Sequence, residues 1–379
     1  MFNLVGPEYY PIYLGLMLVL IVTKLIVKTP SGLITGYDRG SIWKSILLIS
    51  FFILFFGFRP LNNYFPDSLN YAEGYEYILR FGPEPDISRG DLAFDLLRNT
   101  CAFLGLPLNA YFCVIAAFYL FPILLGARLL FPGREYLTFL FFCTCFAFYS
   151  GGGVIIRNGI ACSFIFLAIA LLYNQSKRNI ILSALCLVVA YYFHNSAAIP
   201  IIALILSFFI VKDIKYSFWI WVICLLISLA IGRSLGYTIS DIFEDERLSE
   251  YTEAGLDANN FEGFSSSGFR WDFIIYSLFG FVMIYFIRFA KYIKDAFYNL
   301  LSNTYILTNA FWILFIYAKF SDRFARLSWV LMPFLFIYPL VKYKFWISPN
   351  STTGWILVGQ WLFLLVMGIS SLSFFFYFI

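Results

Sequence analysis

Long apolar segments recur along the whole 379-residue chain, and they constrain the fold more than any other feature. Tyr13–Val27, Ala198–Val211 and Phe218–Ile231 all approach membrane-spanning length. Hydrophobic residues make up 61% of the chain and charged residues 13%, whereas soluble domains are about one quarter charged. A soluble core cannot bury so many uninterrupted apolar segments. The sequence therefore predicts an all-helical, polytopic membrane protein in which residues 1–379 form a single transmembrane domain.

About twelve spans are predicted, separated by charged residues or by proline and glycine. Two long polar loops interrupt the pattern, near residues 59–107 and 236–270. Within the first loop, the amphipathic segment Asp91–Leu106 is predicted to form an interfacial or re-entrant helix. The predicted spans are Tyr9–Val27, Ile42–Phe58, Leu108–Leu130, Leu137–Tyr149, Val154–Tyr173, Ile180–Phe193, Ser196–Val211, Ser217–Leu235, Trp271–Ile287, Tyr305–Phe320, Leu327–Val341 and Gly354–Phe378.

Basic residues in the short connections predict the orientation. Every odd-numbered connection carries lysine or arginine, for example Lys24 and Lys28 in the first and Lys212 and Lys215 in the seventh. Basic loops face the cytoplasm, so both termini and both long loops are predicted to face outward. The second of these loops is acidic between Asp241 and Glu262.

Neither a metal cofactor nor a nucleic-acid partner is predicted. The seven cysteines fall mostly inside apolar segments and match neither a disulfide framework nor a zinc site, and the chain has one histidine. A net charge of +4 without a basic cluster does not suit nucleic acid. We therefore expect no cofactor.

Charged residues at or inside membrane spans are costly, so they indicate a functional site. With the orientation above, those that break the apolar pattern lie at the outer ends of their spans. Arg323 is three residues from Arg326 and four from Lys319, so these side chains can share one helix face. The full set is Arg59, Asp67, Arg157, His194, Arg270, Asp272, Lys319, Asp322, Arg323 and Arg326.

A cavity with several arginines, one histidine and a few carboxylates suits a polyanion such as a phosphate or diphosphate, because guanidinium groups match phosphate oxygens bidentately. Gly151–Gly153, close to Arg157, allows close backbone approach or interrupts a helix. Tyr71 in the outer loop is suited to stacking on a sugar ring. Two simpler readings stay open: single arginines at helix ends also reach lipid headgroups, and Asp272 can simply pair with Arg270 or cap a helix.

Short polar motifs follow one another in a distinctive order. The strongest are Arg157-Asn158-Gly159-Ile160-Ala161 and His194-Asn195-Ser196-Ala197, about one helical hairpin apart; the others are Asp67-(x)3-Tyr71, Lys177, Phe269-Arg270-Trp271-Asp272-Phe273 and Arg326. Together they resemble the EpsG-like family of Wzy-type polymerases of bacterial O-antigens, capsules and exopolysaccharides. The resemblance covers roughly Arg59 to Leu340. Where that family often has Glu-Pro-Gly-Phe, this chain has Arg89-Gly90-Asp91-Leu92-Ala93-Phe94, so the roles of Glu84 and Asp91 stay open.

The resemblance implies a multi-pass enzyme of the bacterial cytoplasmic (inner) membrane with its active site on the periplasmic or extracellular side. Such a polymerase transfers a growing glycan from undecaprenyl diphosphate to the non-reducing end of a new lipid-linked repeat unit. The implied fold is the all-helical GT-C type. The implied partners are undecaprenyl-diphosphate-linked oligosaccharides and membrane lipids, and a chain-length regulator protein is a candidate.

For this reaction, Arg157, Arg270 and Arg326 are predicted to bind the diphosphate and to stabilise the charge of the leaving group. Arg323 is a further candidate for the same role. Because arginines would then replace the divalent ion used by other transferases, the enzyme is predicted to be a metal-independent glycosyltransferase.

The acceptor hydroxyl must lose a proton as it attacks, and His194 or Asp67 is predicted to accept it. We favour His194, because it ends a predicted helix and histidine exchanges protons near neutral pH. In the alternative, Asp67 is the base and His194 donates a hydrogen bond to the diphosphate. The residues predicted to bind substrate are Arg59, Tyr71, Asn158, Asn195 and Asp272.

Two other functions compete with polymerisation. A lipid-linked oligosaccharide flippase or another transporter also needs a basic cavity, but it is expected to have charges near the midplane and internal repeats, and the sequence has neither. An O-antigen-type ligase shares the donor chemistry, so the sequence separates it poorly from a polymerase.

Overall fold

The computed structural model describes residues 6–26, 33–62, 65–83, 91–243, 269–317 and 321–376, and these residues form helices and no strand. Most of the predicted acidic run, together with Glu84 and Lys319, lies outside them. The helices are α1 Gly6–Ile26, α2 Ser41–Gly57, α3 Pro66–Phe81, α4 Leu92–Phe103, α5 Leu108–Leu130, α6 Glu135–Cys143, α7 Phe146–Gly153, α8 Ile156–Leu171, α9 Lys177–Phe193, α10 Ala198–Phe209, α11 Ile214–Phe243, α12 Trp271–Tyr285, α13 Ala296–Leu314, α14 Ser321–Trp329, α15 Met332–Lys342 and α16 Pro349–Phe376.

Several of these helices can cross a membrane, so the chain is a multi-pass membrane protein. Among the described residues, five helical segments are long and apolar enough by length and composition, and a bent pair would make a sixth. Each predicted span contains a helix, but the number of twelve spans and the GT-C type stay predictions. The five segments are Glu8–Ile26, Leu108–Leu130, Ile214–Gly232, Trp271–Ala290 and Ser321–Lys342.

The chain divides into two compact units. The first comprises Met1–Ala197 and Phe336–Ile379, and the second comprises Ala198–Leu335. In the first unit, α8 packs against α5 and α9, and α2 packs against α5. In the second, α13 packs against α10 and α11. The single transmembrane domain stays a prediction.

The predicted span Leu137–Tyr149 is not one helix. It is divided into α6 and α7, whose axes differ by 81°. The hydroxyl of Thr144 lies 3.1 Å from the carbonyl oxygen of Leu140, and the backbone of Cys145 is extended, with ψ 138°. Local side-chain hydrogen bonds of this kind compete with the helical ladder. The segment contains neither glycine nor proline at the break, so its apolar pattern gave no sign of it.

The region near residues 59–107 was predicted as a loop with one amphipathic helix, but it contains two helices. The amphipathic helix is confirmed as α4, whereas α3 was missed because its sequence is largely polar. Helix α3 begins with Pro66, a residue suited to the first helical position, and ends before Gly82, whose φ is 85°. The rings of Tyr75 and Tyr111 stack 4.1 Å apart and pack α3 on α5.

Two predicted boundaries in the second unit were wrong. Helix α11 is longer than predicted, and α13 begins at Ala296 instead of Tyr305. The prediction read the polar residues before Tyr305 as a loop. In the structure, Asn303 is buried and its Nδ2 donates to the carbonyl oxygen of Val211 at 2.8 Å, and Asp295 caps the helix. A buried polar residue with a partner does not end a helix.

Candidate functional site

Asp91 lies at the centre of a group of chemically active side chains in the first unit. Its carboxylate accepts a hydrogen bond from Nη1 of Arg157 through Oδ2, and its Oδ1 lies 3.1 Å from Nδ1 of His194. Nε of Arg157 donates to the hydroxyl of Tyr71 at 2.6 Å. We call Asp91, Arg157, His194 and Tyr71 the Asp91 cluster. Asp91 is 2% exposed, whereas the side chains of Arg157 and His194 are each 24% exposed.

Local structure holds each member of the cluster in place. Asp91 precedes α4, and its carbonyl oxygen accepts from the N–H groups of Phe94 and Asp95. The backbone N–H of His194 donates to Ala190 at the end of α9. Arg157 lies in the first turn of α8, where the helix dipole disfavours a cation. A carboxylate beside Arg157 offsets that cost, so the ion pair with Asp91 stabilises an otherwise unfavourable position.

Aromatic rings complete the surroundings of Arg157. Its guanidinium carbon lies 5.2 Å from the ring centroid of Tyr71 and 6.0 Å from that of Phe94. The pKa of the Tyr71 phenol is raised above its ordinary value, mainly by burial. The charge of Arg157 opposes this shift, and the charge of Asp67 adds to it. Tyr71 is therefore a neutral acceptor for Arg157 at neutral pH. Asp67, the second residue of α3, is half-buried and lies close enough to influence this group.

The two strongest sequence motifs meet in the first unit. Asn158, which is 5% exposed, places its Nδ2 3.3 Å from the hydroxyl of Ser196. Ser196 belongs to the single 3-10 turn Asn195–Ala197 that follows His194. Asn195 itself is exposed. The motifs that begin at Arg157 and His194 are thus joined by the Asp91 carboxylate and by this amide–hydroxyl contact.

Glycines bring α7 and α8 close together beneath Arg157. A Cβ atom at Gly159 would lie 2.2 Å from the carbonyl oxygen of Gly151, and one at Gly152 would lie 2.4 Å from the ring of Phe56. Close approach of one backbone to another is one of the two roles that the sequence left open for Gly151–Gly153, and α7 also ends at Gly153. The start of α8, and with it Arg157, is set by this contact.

Arg59 joins three helices of the first unit. Its Nη1 donates to the carbonyl oxygens of Phe56 at 2.7 Å and Gly152 at 3.3 Å, and its Nε donates to the hydroxyl of Ser68 at 2.9 Å. Phe56 and Gly152 lie in the last turns of α2 and α7, where a helix dipole favours a cation. Burial lowers the pKa of Arg59 to about 10, so the guanidinium stays charged at neutral pH. Arg59 is 4% exposed, and its predicted role in substrate binding stays a prediction.

Arg270 and Asp272 form an ion pair in the second unit. Nε and Nη2 of Arg270 lie 2.9 and 2.5 Å from the two carboxylate oxygens of Asp272. The guanidinium carbon also lies 3.6 Å from the ring centroid of Phe273. The pairing anticipated from the sequence is therefore present, and a cation–π contact with Phe273 helps to hold the guanidinium at the start of α12.

The other predicted arginines of the second unit lie on α14. Nη2 of Arg326 is 2.8 Å from Oδ2 of Asp322, one helical turn away. Arg323 is half-buried. The structure therefore brings Arg157, Tyr71 and His194 together in the first unit, and it pairs both Arg270 and Arg326 with carboxylates in the second.

Asp91 is the residue that the sequence did not assign. In the sequence it is the first residue of the predicted amphipathic segment Asp91–Leu106, and no nearby residue indicates that Arg157 and His194 are its partners. They lie 66 and 103 residues away along the chain. Within the described ranges, no group of three or more His, Cys, Asp or Glu side chains is arranged to hold a metal ion. Metal independence stays a prediction.

Comparison with known proteins identifies the family. The model of the EpsG family, a family of Wzy-like polysaccharide polymerases, matches residues 44–379. No curated protein and no solved structure matches the chain.

Proposed function

Because the chain belongs to the EpsG family of polysaccharide polymerases, we propose that it joins undecaprenyl-diphosphate-linked oligosaccharide repeat units. The product is an O-antigen or another surface polysaccharide. The enzyme works at the outer face of the bacterial cytoplasmic membrane, where its partners are lipid-linked oligosaccharides, membrane lipids and a chain-length regulator protein.

The Asp91 cluster is the observation that supports this proposal. Polymerisation needs a group that takes a proton from the acceptor hydroxyl and a cation that stabilises the departing diphosphate. His194 and Arg157 have these chemistries, and both contact the same carboxylate. Their partial exposure leaves them accessible to a substrate, whereas Asp91 is enclosed.

The proposed reaction is a single substitution at the anomeric carbon of the growing glycan. The acceptor hydroxyl oxygen forms the new bond to that carbon, and its proton passes to His194. The bond between the anomeric carbon and the diphosphate oxygen breaks, and undecaprenyl diphosphate leaves with the electron pair. Negative charge therefore develops on the leaving group, and positive charge develops on His194.

Arg157 has donors left for the leaving group. A guanidinium carries five N–H donors. Among the described residues, one N–H on Nε is used by Tyr71 and one on Nη1 by Asp91. We assign the remaining ones to a diphosphate oxygen, so that Arg157 can bind the donor without releasing Asp91.

The sequence-based assignments of three further arginines to the diphosphate are kept as part of this proposal. We assign Arg270 and Arg326 to this task, with Arg323 in reserve. Each of the first two is paired with a carboxylate, Asp272 or Asp322. A phosphate oxygen offers a guanidinium the same bidentate geometry as a carboxylate does, so the substrate can replace that partner.

The remaining assignments concern the sugars. Tyr71, Asn158 and Asn195 are proposed to contact the glycan, and Asp272 and Arg59 to support its binding. Asp67 is the alternative base. It lies near Tyr71 and Arg157, whereas His194 contacts the carboxylate that would stabilise its charged form. We therefore retain His194 as the base.

Deleting the gene should give cells whose surface glycan acceptor carries one repeat unit instead of a long chain. The reason is that transfer of single units continues when polymerisation stops. The measurement is chain length by gel electrophoresis, with the intact gene on a plasmid as the control. Free lipid-linked long polymer would instead indicate a ligase, and repeat units accumulating on the cytoplasmic side would indicate a flippase; either result would contradict the proposal.

A further inference from the structure

We propose that Asp91 is a positioning residue: it fixes the hydrogen of His194 on Nδ1, so that Nε2 is the atom that receives the proton of the acceptor hydroxyl. The inference rests on the proposed polymerase function and adds a residue to it. It is carried by a geometric feature, a nearly enclosed carboxylate held between an arginine and the one histidine of the chain.

The chemistry of the carboxylate determines which nitrogen bears the hydrogen. Oδ1 of Asp91 lies 3.1 Å from Nδ1 of His194, and Oδ2 accepts from Arg157. An ionised carboxylate only accepts hydrogen bonds, so Nδ1 must be the donor. In a neutral imidazole the other nitrogen then carries the lone pair. Nε2 is thereby the basic atom.

Because Asp91 is buried, we expect it to influence the reaction through His194 and not by contacting the substrate itself. Asp91 is 2% exposed, so a sugar hydroxyl has little access to its oxygens, whereas the side chain of His194 is 24% exposed. The end of α9 holds the backbone of His194, and the carboxylate holds its ring. Together they fix the direction in which Nε2 points.

The carboxylate also makes protonation of His194 feasible beside Arg157. When His194 takes the proton, the carboxylate of Asp91 contacts two positive groups. Without Asp91 these two charges would repel each other in a partly desolvated place, where electrostatic interactions are stronger than in water. Asp91 therefore favours the charged state that the reaction creates.

A simpler account makes Asp91 only the counter-ion of Arg157. Both accounts include the ion pair, and both predict that removing the carboxylate harms the protein. They differ in the state of the imidazole: a counter-ion has no effect on which ring nitrogen carries the hydrogen, whereas the positioning role requires Nδ1–H. The tautomer is therefore the decisive readout.

The test is nitrogen NMR of the full-length protein in lipid vesicles, labelled with 15N-histidine. Because the chain has one histidine, both ring signals belong to His194. At a pH where the ring is neutral, wild type should show a protonated Nδ1 and an unprotonated Nε2. In Asp91→Asn, the amide can donate to Nδ1, so the hydrogen should move to Nε2.

Asp95→Asn is the matched control. Asp95 is also a buried aspartate, one helical turn further along, and it pairs with Arg98 at 3.1 Å. This variant should keep the tautomer of wild type. In a polymerisation assay, Asp91→Asn should lower kcat by about 100-fold or more while KM stays within about threefold, as expected when a base has the wrong tautomer. Asp91→Glu should restore part of the rate.

A wild-type spectrum with the hydrogen on Nε2 would overturn the role of Asp91, and so would an unchanged tautomer in Asp91→Asn. The wild-type spectrum decides even if that variant does not fold. If wild-type protein carries the hydrogen on Nε2 and still forms polymer, only the role of Asp91 is rejected. The expected tautomer in a wild-type protein that cannot polymerise rejects the proposed function, and this role with it.

Discussion

Replacing Arg157 by alanine is expected to abolish long-chain polymer and to leave single repeat units on the lipid, with a rate loss of at least about 100-fold. The guanidinium is proposed to stabilise the departing diphosphate, and it also fixes Asp91 and Tyr71. Alanine removes all three interactions. The measurement is the initial rate of polymer formation at equal amounts of membrane-inserted protein.

Arg157→Lys distinguishes charge from geometry. A lysine keeps the positive charge, but its ammonium group cannot reproduce the planar guanidinium, whose N–H groups are proposed to contact Tyr71, Asp91 and a phosphate oxygen together. We expect a loss of at least about tenfold. Arg80→Ala is the matched control, because Arg80 forms an exposed pair with Glu76 at 3.4 Å. Wild-type rates for Arg157→Ala would show that the assignment is wrong.

Replacing Gly159 by alanine is expected to have a similarly large effect through the backbone. The new Cβ would lie 2.2 Å from the carbonyl oxygen of Gly151, and its next nearest atoms also belong to the Gly151 backbone. No side chain can rotate to relieve this contact, so α7 and α8 must separate. Overpacking costs about 1–3 kcal/mol, and a shift of about 1 Å at a reacting group can cost about 100-fold in rate.

The measurements for Gly159→Ala are thermal unfolding in detergent and the polymerisation rate. Gly359→Ala is the matched control: Gly359 also lies in a helix, but nothing comes within 4 Å of an added Cβ there. That control should unfold at or slightly above the wild-type temperature, because alanine favours a helix. A Gly159→Ala protein with the stability and rate of wild type would contradict the packing that we describe.

Most helices were predictable where apolar residues were continuous, because lipid requires every backbone group to be satisfied within the helix. The prediction failed where the polarity of a segment did not match its secondary structure or its burial. Helix α3 is polar yet helical, and the first half of α13 includes buried polar residues such as Asn303. The break between α6 and α7 lies at Thr144 and Cys145, within an apolar segment, and hydropathy does not indicate it.

The candidate site was only partly predictable. Charges at span ends identified Arg157 and His194, because a bilayer makes such residues costly. The pairing of Arg270 with Asp272 followed from their spacing of two residues. The role of Asp91 did not follow from any local pattern, since Arg157 and His194 are brought to it by tertiary folding.

Purified protein in lipid vesicles, supplied with polyprenyl-diphosphate-linked repeat units as the sole glycan, tests the central claim most directly. We predict a ladder of products that differ by one repeat unit. The ladder should persist in EDTA, since the proposed arginines replace a divalent ion, and it should disappear in His194→Gln. Unextended single units with wild-type protein would contradict the account, and a ladder lost in EDTA and restored by one divalent ion would contradict its metal-free chemistry.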